Sequence, residues 1–191
     1  MGNSLKAQLY YTLEIKDKYG TVLKRICRKS HSMVIAWIDI LYIQANPATS
    51  INTPDITNTP IGLAANASAF CMSGGASDLT RGIVVGTGNT AVAMTDYELA
   101  ALIADGDNAG QLEYATNTFT APHTIGTSRY FTISRVMSNL SGGAIAVAEI
   151  GLHLLYSGPY TFLGVRDVLP SAQSVGNGKT ITITYTYKIT V

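Results

Sequence analysis

Charge is scarce in this sequence. Asp, Glu, Lys and Arg make up 13% of its residues, about half of the ~25% usual for soluble domains. With 13 cations against 12 anions and a formal net charge of +1, little electrostatic repulsion keeps copies apart, so association with itself or a partner is expected. Long apolar runs are missing too. The stretch Met33 to Ile43 is interrupted by Asp39 and falls short of the ~18 to 20 residues that span a bilayer, so no membrane span is expected. The start of the chain, Met1-Gly2-Asn3-Ser4-Leu5-Lys6, lacks the apolar core of a signal peptide, and Lys6 stands where a myristoylation pattern wants Ser or Thr. His31, His123 and His153 lack zinc-ligand spacing, with no paired cysteines near them. Cys27 and Cys71 can form a disulfide or stand as two thiols.

Catalytic signatures are equally thin. No Gly-x-Ser-x-Gly elbow occurs, and Asp39, Glu113 and Glu149 are scattered without the spacing of a glycosidase pair. Gly86-Thr-Gly88-Asn-Thr-Ala91, after the strand-like Ile83-Val84-Val85, fits the dinucleotide fingerprint G-x-G-x-x-A. That fingerprint works only when a helix starts at once and presents its amides to a pyrophosphate. Here the best helix start is delayed to Thr95 and no βαβ alternation follows, so a tight glycine turn is expected instead. Gly178-Lys179-Thr180 resembles the tail of a phosphate-binding loop, but Gln173 replaces its first glycine and a strand follows. Asp105-Gly-Asp107-Asn108-Ala-Gly110 brings oxygen ligands close together, making Asp105, Asp107 and Asn108 a candidate calcium site that lacks the closing bidentate acid. Asn66-Ala-Ser68 and Asn139-Leu-Ser141 match the glycosylation acceptor pattern. No catalytic residues and no cofactor are expected.

What the chain does carry is strand pattern. Gln8 to Ile15, the turn Asp17-Lys18-Tyr19-Gly20 and Thr21 to Ile26 predict a hairpin. Basic residues cluster there, Lys24, Arg25, Arg28 and Lys29 among them, without the interleaved aromatics of a nucleic-acid surface. Met33 to Ile43, apolar nearly all round, predicts a buried helix capped by Ser30 or Ser32, with a buried strand as the competing reading. Gln44 to Pro60 predicts a long loop. Strands are expected over Gln111 to Thr120, Tyr130 to Ser138, Ala144 to Tyr156 and Tyr160 to Val168, with Asn139 to Gly143 as a hairpin loop. A short helix capped by Thr95 is expected to reach Ile103. The last strand alternates without a break: Ile181, Ile183, Tyr185, Tyr187 and Ile189 on one face, threonines and Lys188 on the other. It can pair within the chain or be exchanged with a neighbour. The reading is a single mainly β domain over 1–191, an antiparallel sandwich of jelly-roll type with one or two short helices. Its first 45 residues are a candidate assembly arm.

Three segments in order carry a resemblance: Ile83-Val-Val-Gly-Thr-Gly-Asn-Thr-Ala-Val92 followed by Asp96-Tyr-Glu-Leu99, Ser134-Arg-Val-Met-Ser-Asn139 followed by Ala144 to Leu152, and Arg166-Asp-Val-Leu-Pro170 leading into the Thr-rich final strand. Together they resemble uncharacterised structural proteins of tailed phages and related viruses. The resemblance covers Arg81 to Val191 and implies a head-decoration, capsid-associated or tail-associated subunit, assembled in the host cytoplasm, whose partners are copies of itself and other virion proteins. It implies no catalytic residues. A subunit of an extracellular filament or surface layer shares the same composition. A carbohydrate-binding module would instead use exposed aromatics such as Trp37.

Overall fold

A computed structural model of the chain describes residues 6–30, 32–45, 51–64, 70–156 and 159–190. Its strands are β1 (Lys6–Lys16), β2 (Val22–Lys29), β3 (Ile51–Pro54), β4 (Pro60–Leu63), β5 (Gly82–Gly86), β6 (Glu113–Tyr114), β7 (Thr118–Ile125), β8 (Ser128–Ser138), β9 (Ile145–Leu155), β10 (Thr161–Val175) and β11 (Thr180–Thr190), with helix α1 at Ile35–Ala45. A six-stranded sheet runs β2-β1-β11-β8-β6 with β7 also on β8; a three-stranded sheet runs β10-β9-β5; and β3 pairs with β4. Every strand pair is antiparallel. The two larger sheets pack together as a β-sandwich.

The alternation of β11 explains its place. Ile181, Ile183 and Tyr185 are fully buried while the intervening threonines are half-exposed, and β11 lies between β1 and β8 in unbroken register with both. Leu9, Tyr11, Leu13 and Ile15 of β1 bury on the same face as their β11 partners. Across the core stand β9 and β10, whose Ile150, Leu152, Leu154, Phe162 and Val165 are fully buried. A covered strand reads as a continuous apolar run where a half-wet strand alternates. Polar ties join the layers, among them Tyr185 Oη donating to Asp167 Oδ2 at 2.9 Å and Arg135 Nη1 donating to Ile83 O at 2.9 Å, while Tyr114 Oη donates to Ile103 O at 2.9 Å beside β5.

Several local expectations are corrected. Asn139 to Gly143 is no hairpin loop: β8 belongs to the large sheet and β9 to the small one, so the segment crosses between layers. Buried Asn139 explains the corner, since its side-chain amide donates to Gly143 O and Val175 O, tying this crossover to the one between β10 and β11. No helix forms from Thr95 to Ile103; the chain passes in turns, and Ile103 N donates to Val85 O, covering the outer edge of β5. The long loop from Gln44 to Pro60 contains β3, and the turn to β4 is built on Asp55, whose Oδ1 accepts the amides of Thr57 and Thr59. The strand expected from Gln111 to Thr120 is broken into β6 and β7, and β10 runs on to Val175. Met33 to Ile43 does yield the helix, displaced by two residues to Ile35–Ala45. Among the described residues Ser30 and Ser32 make no capping bond, and Ser30 Oγ is buried without a partner.

Candidate functional site

The segment from Gly82 to Ile103 is organised by one buried carboxylate. Glu149 projects from the middle of β9 with no solvent exposure. Its Oε1 accepts the amides of Gly88 at 3.0 Å and Ala101 at 2.8 Å, and its Oε2 accepts the amide of Ala100 at 3.2 Å and Arg166 Nε at 2.8 Å. Arg166, on β10, donates further to Asp96 Oδ2 at 2.8 Å and to the carbonyl and hydroxyl oxygens of Thr90. Burial works against the guanidinium charge, but the hydrogen bonds Arg166 donates to Asp96 and Glu149, with the attraction of the two carboxylates, outweigh it and push the Arg166 pKa up. With both carboxylate oxygens doubly engaged, Glu149 clamps a turn and holds no oxygen open to a substrate.

The same geometry explains the glycine pair. A Cβ on Gly86 would stand 2.5 Å from both Ala101 O and Glu149 Oε1, and one on Gly88 would collide with Glu149 Oε1. The Gly88 amide that a dinucleotide would need already binds this side chain. A second buried cation, Arg135 on β8, donates to the carbonyls of Ala115, Ile83 and Gly75 at 2.7 to 2.9 Å and packs 4.9 Å from the centre of the Tyr114 ring. Burial lowers its pKa. Both arginines escaped the sequence reading, although Arg135 gave a signal: it shares the inward phase of Ile133 and Met137.

Asp105 Oδ1 accepts the Tyr114 amide and Asn108 N donates to Gln111 Oε1, while Asp107 is exposed; among the described residues no cluster of three or more His, Cys, Asp or Glu could hold a metal. Cys27 is exposed and Cys71 half-buried, and both are free thiols. His153 is buried and its Nδ1 lies 2.7 Å from Leu79 O, which makes it the donor to that carbonyl and leaves Nε2 without a partner. Burial holds its pKa down at about 4. Asn139 is buried and committed, which removes it as a glycosylation acceptor; His31 and Asn66 lie outside the described residues. Among the described residues, no helix is long and apolar enough to cross a membrane.

Three surfaces remain. On the edge strand β2, Lys24, Arg25, Arg28 and Lys29 are all exposed, and only Arg25 has an ion-pair partner among the described residues, Glu14 at 3.2 Å. Of the final-strand candidates, Ile181, Ile183 and Tyr185 fill this chain's own core, Tyr187 is half-buried and Ile189 is 49% exposed. Helix α1 buries Ala36, Ile40 and Ile43 and leaves Ile35, Ile38, Leu41 and Tyr42 exposed. Beside it, Trp37, Tyr130, Phe131 and Tyr187 line an apolar groove of about 360 Å³.

No family model matches the chain. No curated protein matches it, and no solved structure does.

Proposed function

We propose that this chain is a structural virion subunit that self-associates and packs on other particle proteins, as a head-decoration, capsid-associated or tail-associated component, with no catalytic role. The observation that carries the assembly part is α1. A helix apolar on every side belongs inside a protein, yet here Ile38 is 58% and Leu41 50% exposed, with Met94 beside the helix start at 71%. An uncharged apolar face of this kind marks a contact surface, and a second copy presenting the same face is its simplest complement. The virion part rests on the ordered segments from Ile83 to Pro170 and on the Thr-rich final strand. Location in a particle assembled in the host cytoplasm belongs to the same reading; an extracellular filament subunit would share the surface but not the location.

Sedimentation of the purified chain, with electron microscopy of the native particle, tests this. Self-association is expected, and Ile38→Lys is expected to weaken it at least about tenfold while leaving the urea midpoint near that of the parent, because the side chain is exposed. A stable monomer at high concentration, found in no particle or filament, would overturn it.

Carbohydrate binding is a second reading, favoured by the aromatic groove. Against it, the rings serve one another: Tyr187 stacks on Phe131 at 4.7 Å and on Trp37 at 5.7 Å. A glycan array decides this, and loss of binding in Tyr130→Ala would place a sugar there.

A further inference from the structure

The large sheet has a basic edge and an acidic edge. From Glu14 to Lys29 the chain holds six cations and two carboxylates, net +4, so in a chain of net +1 the remainder carries −3. This basic stretch forms the outermost strand, β2, at one end of the sheet. Ser30 N donates to Leu9 O on β1; by the antiparallel alternation, the amides and carbonyls of Lys29, Cys27 and Arg25 point away from β1. No strand lies beyond them among the described residues. At the opposite end stand β6 and β7. There Asp105, Asp107 and Glu113 line a depression of about 460 Å³ together with Tyr114 and Ser138, and none of the three carboxylates has an ion-pair partner among the described residues.

These two ends are aligned. The register carries Val22 through Lys16, Thr180 and Ser138 to Glu113, and Lys24 through Ile15, Ile181 and Met137 to Tyr114. A copy displaced sideways along the sheet therefore brings its Val22 row up to the Glu113 row of its neighbour, with Lys24 on the adjoining Tyr114 row. Two β2 edges paired antiparallel about Cys27, so that outward-facing residues oppose one another, would instead set Arg25 of each copy against Lys29 of the other. Like charges directly opposite are destabilising, and charged edge strands are a known guard against such pairing.

We infer that the β2 edge of one copy docks on the Asp105, Asp107 and Glu113 corner of a second copy, a head-to-tail contact that leaves a free basic edge and a free acidic corner at the two ends. Contacts of this type propagate into rings or filaments instead of closing as two-fold dimers. The inference rests on the self-association proposed above and names a contact distinct from the α1 face.

Charge exchange tests it by sedimentation velocity. One variant carries Lys24→Glu with Arg28→Glu, the other Asp107→Lys with Glu113→Lys. Wild-type protein is expected to form species beyond a dimer at roughly 20 mM salt and to lose them at roughly 500 mM, where the Debye length falls to a few ångströms. Each variant alone is expected to stop at the α1-mediated species, and an equimolar mixture to regain the larger ones, because each supplies the edge its partner lacks. Regain by mixing also shows that both variants are folded. Association unchanged in both variants, or no regain in a mixture of folded variants, overturns the head-to-tail contact and leaves the assembly reading standing. A wild type monomeric under all conditions overturns both.

Discussion

At Glu149 a single side chain decides the path of about twenty residues. Its carboxylate takes three backbone amides and one guanidinium in a site closed to water. Removing one partner of a buried pair leaves the other charge uncompensated, at about 3–5 kcal/mol. Glu149→Ala is accordingly expected to lower unfolding stability by about that amount in urea titration, and the double variant with Arg166→Met to lose less than the two single losses combined. His153 adds a pH dependence. Its folded pKa of about 4 lies below the 6.5 of an ordinary histidine, so the unfolded chain binds the extra proton between those values. The stabilisation is complete above pH 6.5, falls as pH drops from 6.5 to 4 and is flat below, an effect of about 3 kcal/mol. Urea midpoints measured across that range should follow this slope, and His153→Asn should flatten it. Legibility at this scale was uneven. Gly86 and Gly88 announced a tight turn, but nothing local in the sequence said that its anchor stands some sixty residues later. Arg166 lies in a covered strand whose apolar neighbours give it no distinguishing phase.

Elements were legible where one face is wet. The hairpin of β1 and β2 and the alternation of β11 were readable because period two survives when half the side chains meet solvent. The helix from Ile35 also came through, although its continuous apolar run left a strand in competition. Its 11 residues and its place outside the sheets, packed on β10 and β3, account for the outcome. The expected helix at Thr95 failed for a physical reason: the amides of Ala100 and Ala101 bind Glu149, and Thr87 N and Ile103 N extend the ladder of β5. Tertiary hydrogen bonds there outweigh a local cap. Asn139 was read as part of a turn because Asn and Gly favour turns. Composition says nothing about which sheet the next strand joins, and the corner is set by carbonyls of Gly143 and Val175 that converge only after folding.

The whole molecule is closed by its most distant strands. β1 pairs with β11 over the full register from Lys6 with Thr190 to Lys16 with Thr180, so the large sheet cannot form until the two ends of the described chain meet. Pairing so distant carries a loop-closure cost before contacts reward it, which places folding in the millisecond-to-second range of β-rich domains. The sequence pattern foresaw a half-buried final strand, but left open whether it pairs inside the chain or in a neighbour. The register on both sides of β11 makes it the internal strand joining β1 to β8, and Ile181, Ile183 and Tyr185 reach the centre of the core from it. Removing residues 179–191 would strip β1 and β8 of their shared partner and expose the opposite faces of β9 and β10. Each fully buried Ile lost from a core is worth about 2–5 kcal/mol, and two such residues with a buried tyrosine are comparable to the ~5–15 kcal/mol that holds a domain folded. The truncated chain is expected to lose its sheet signal and cooperative urea transition in circular dichroism. A truncation that stays folded and loses only association would show that β11 serves a neighbour, and would move the final strand from the core to the interface.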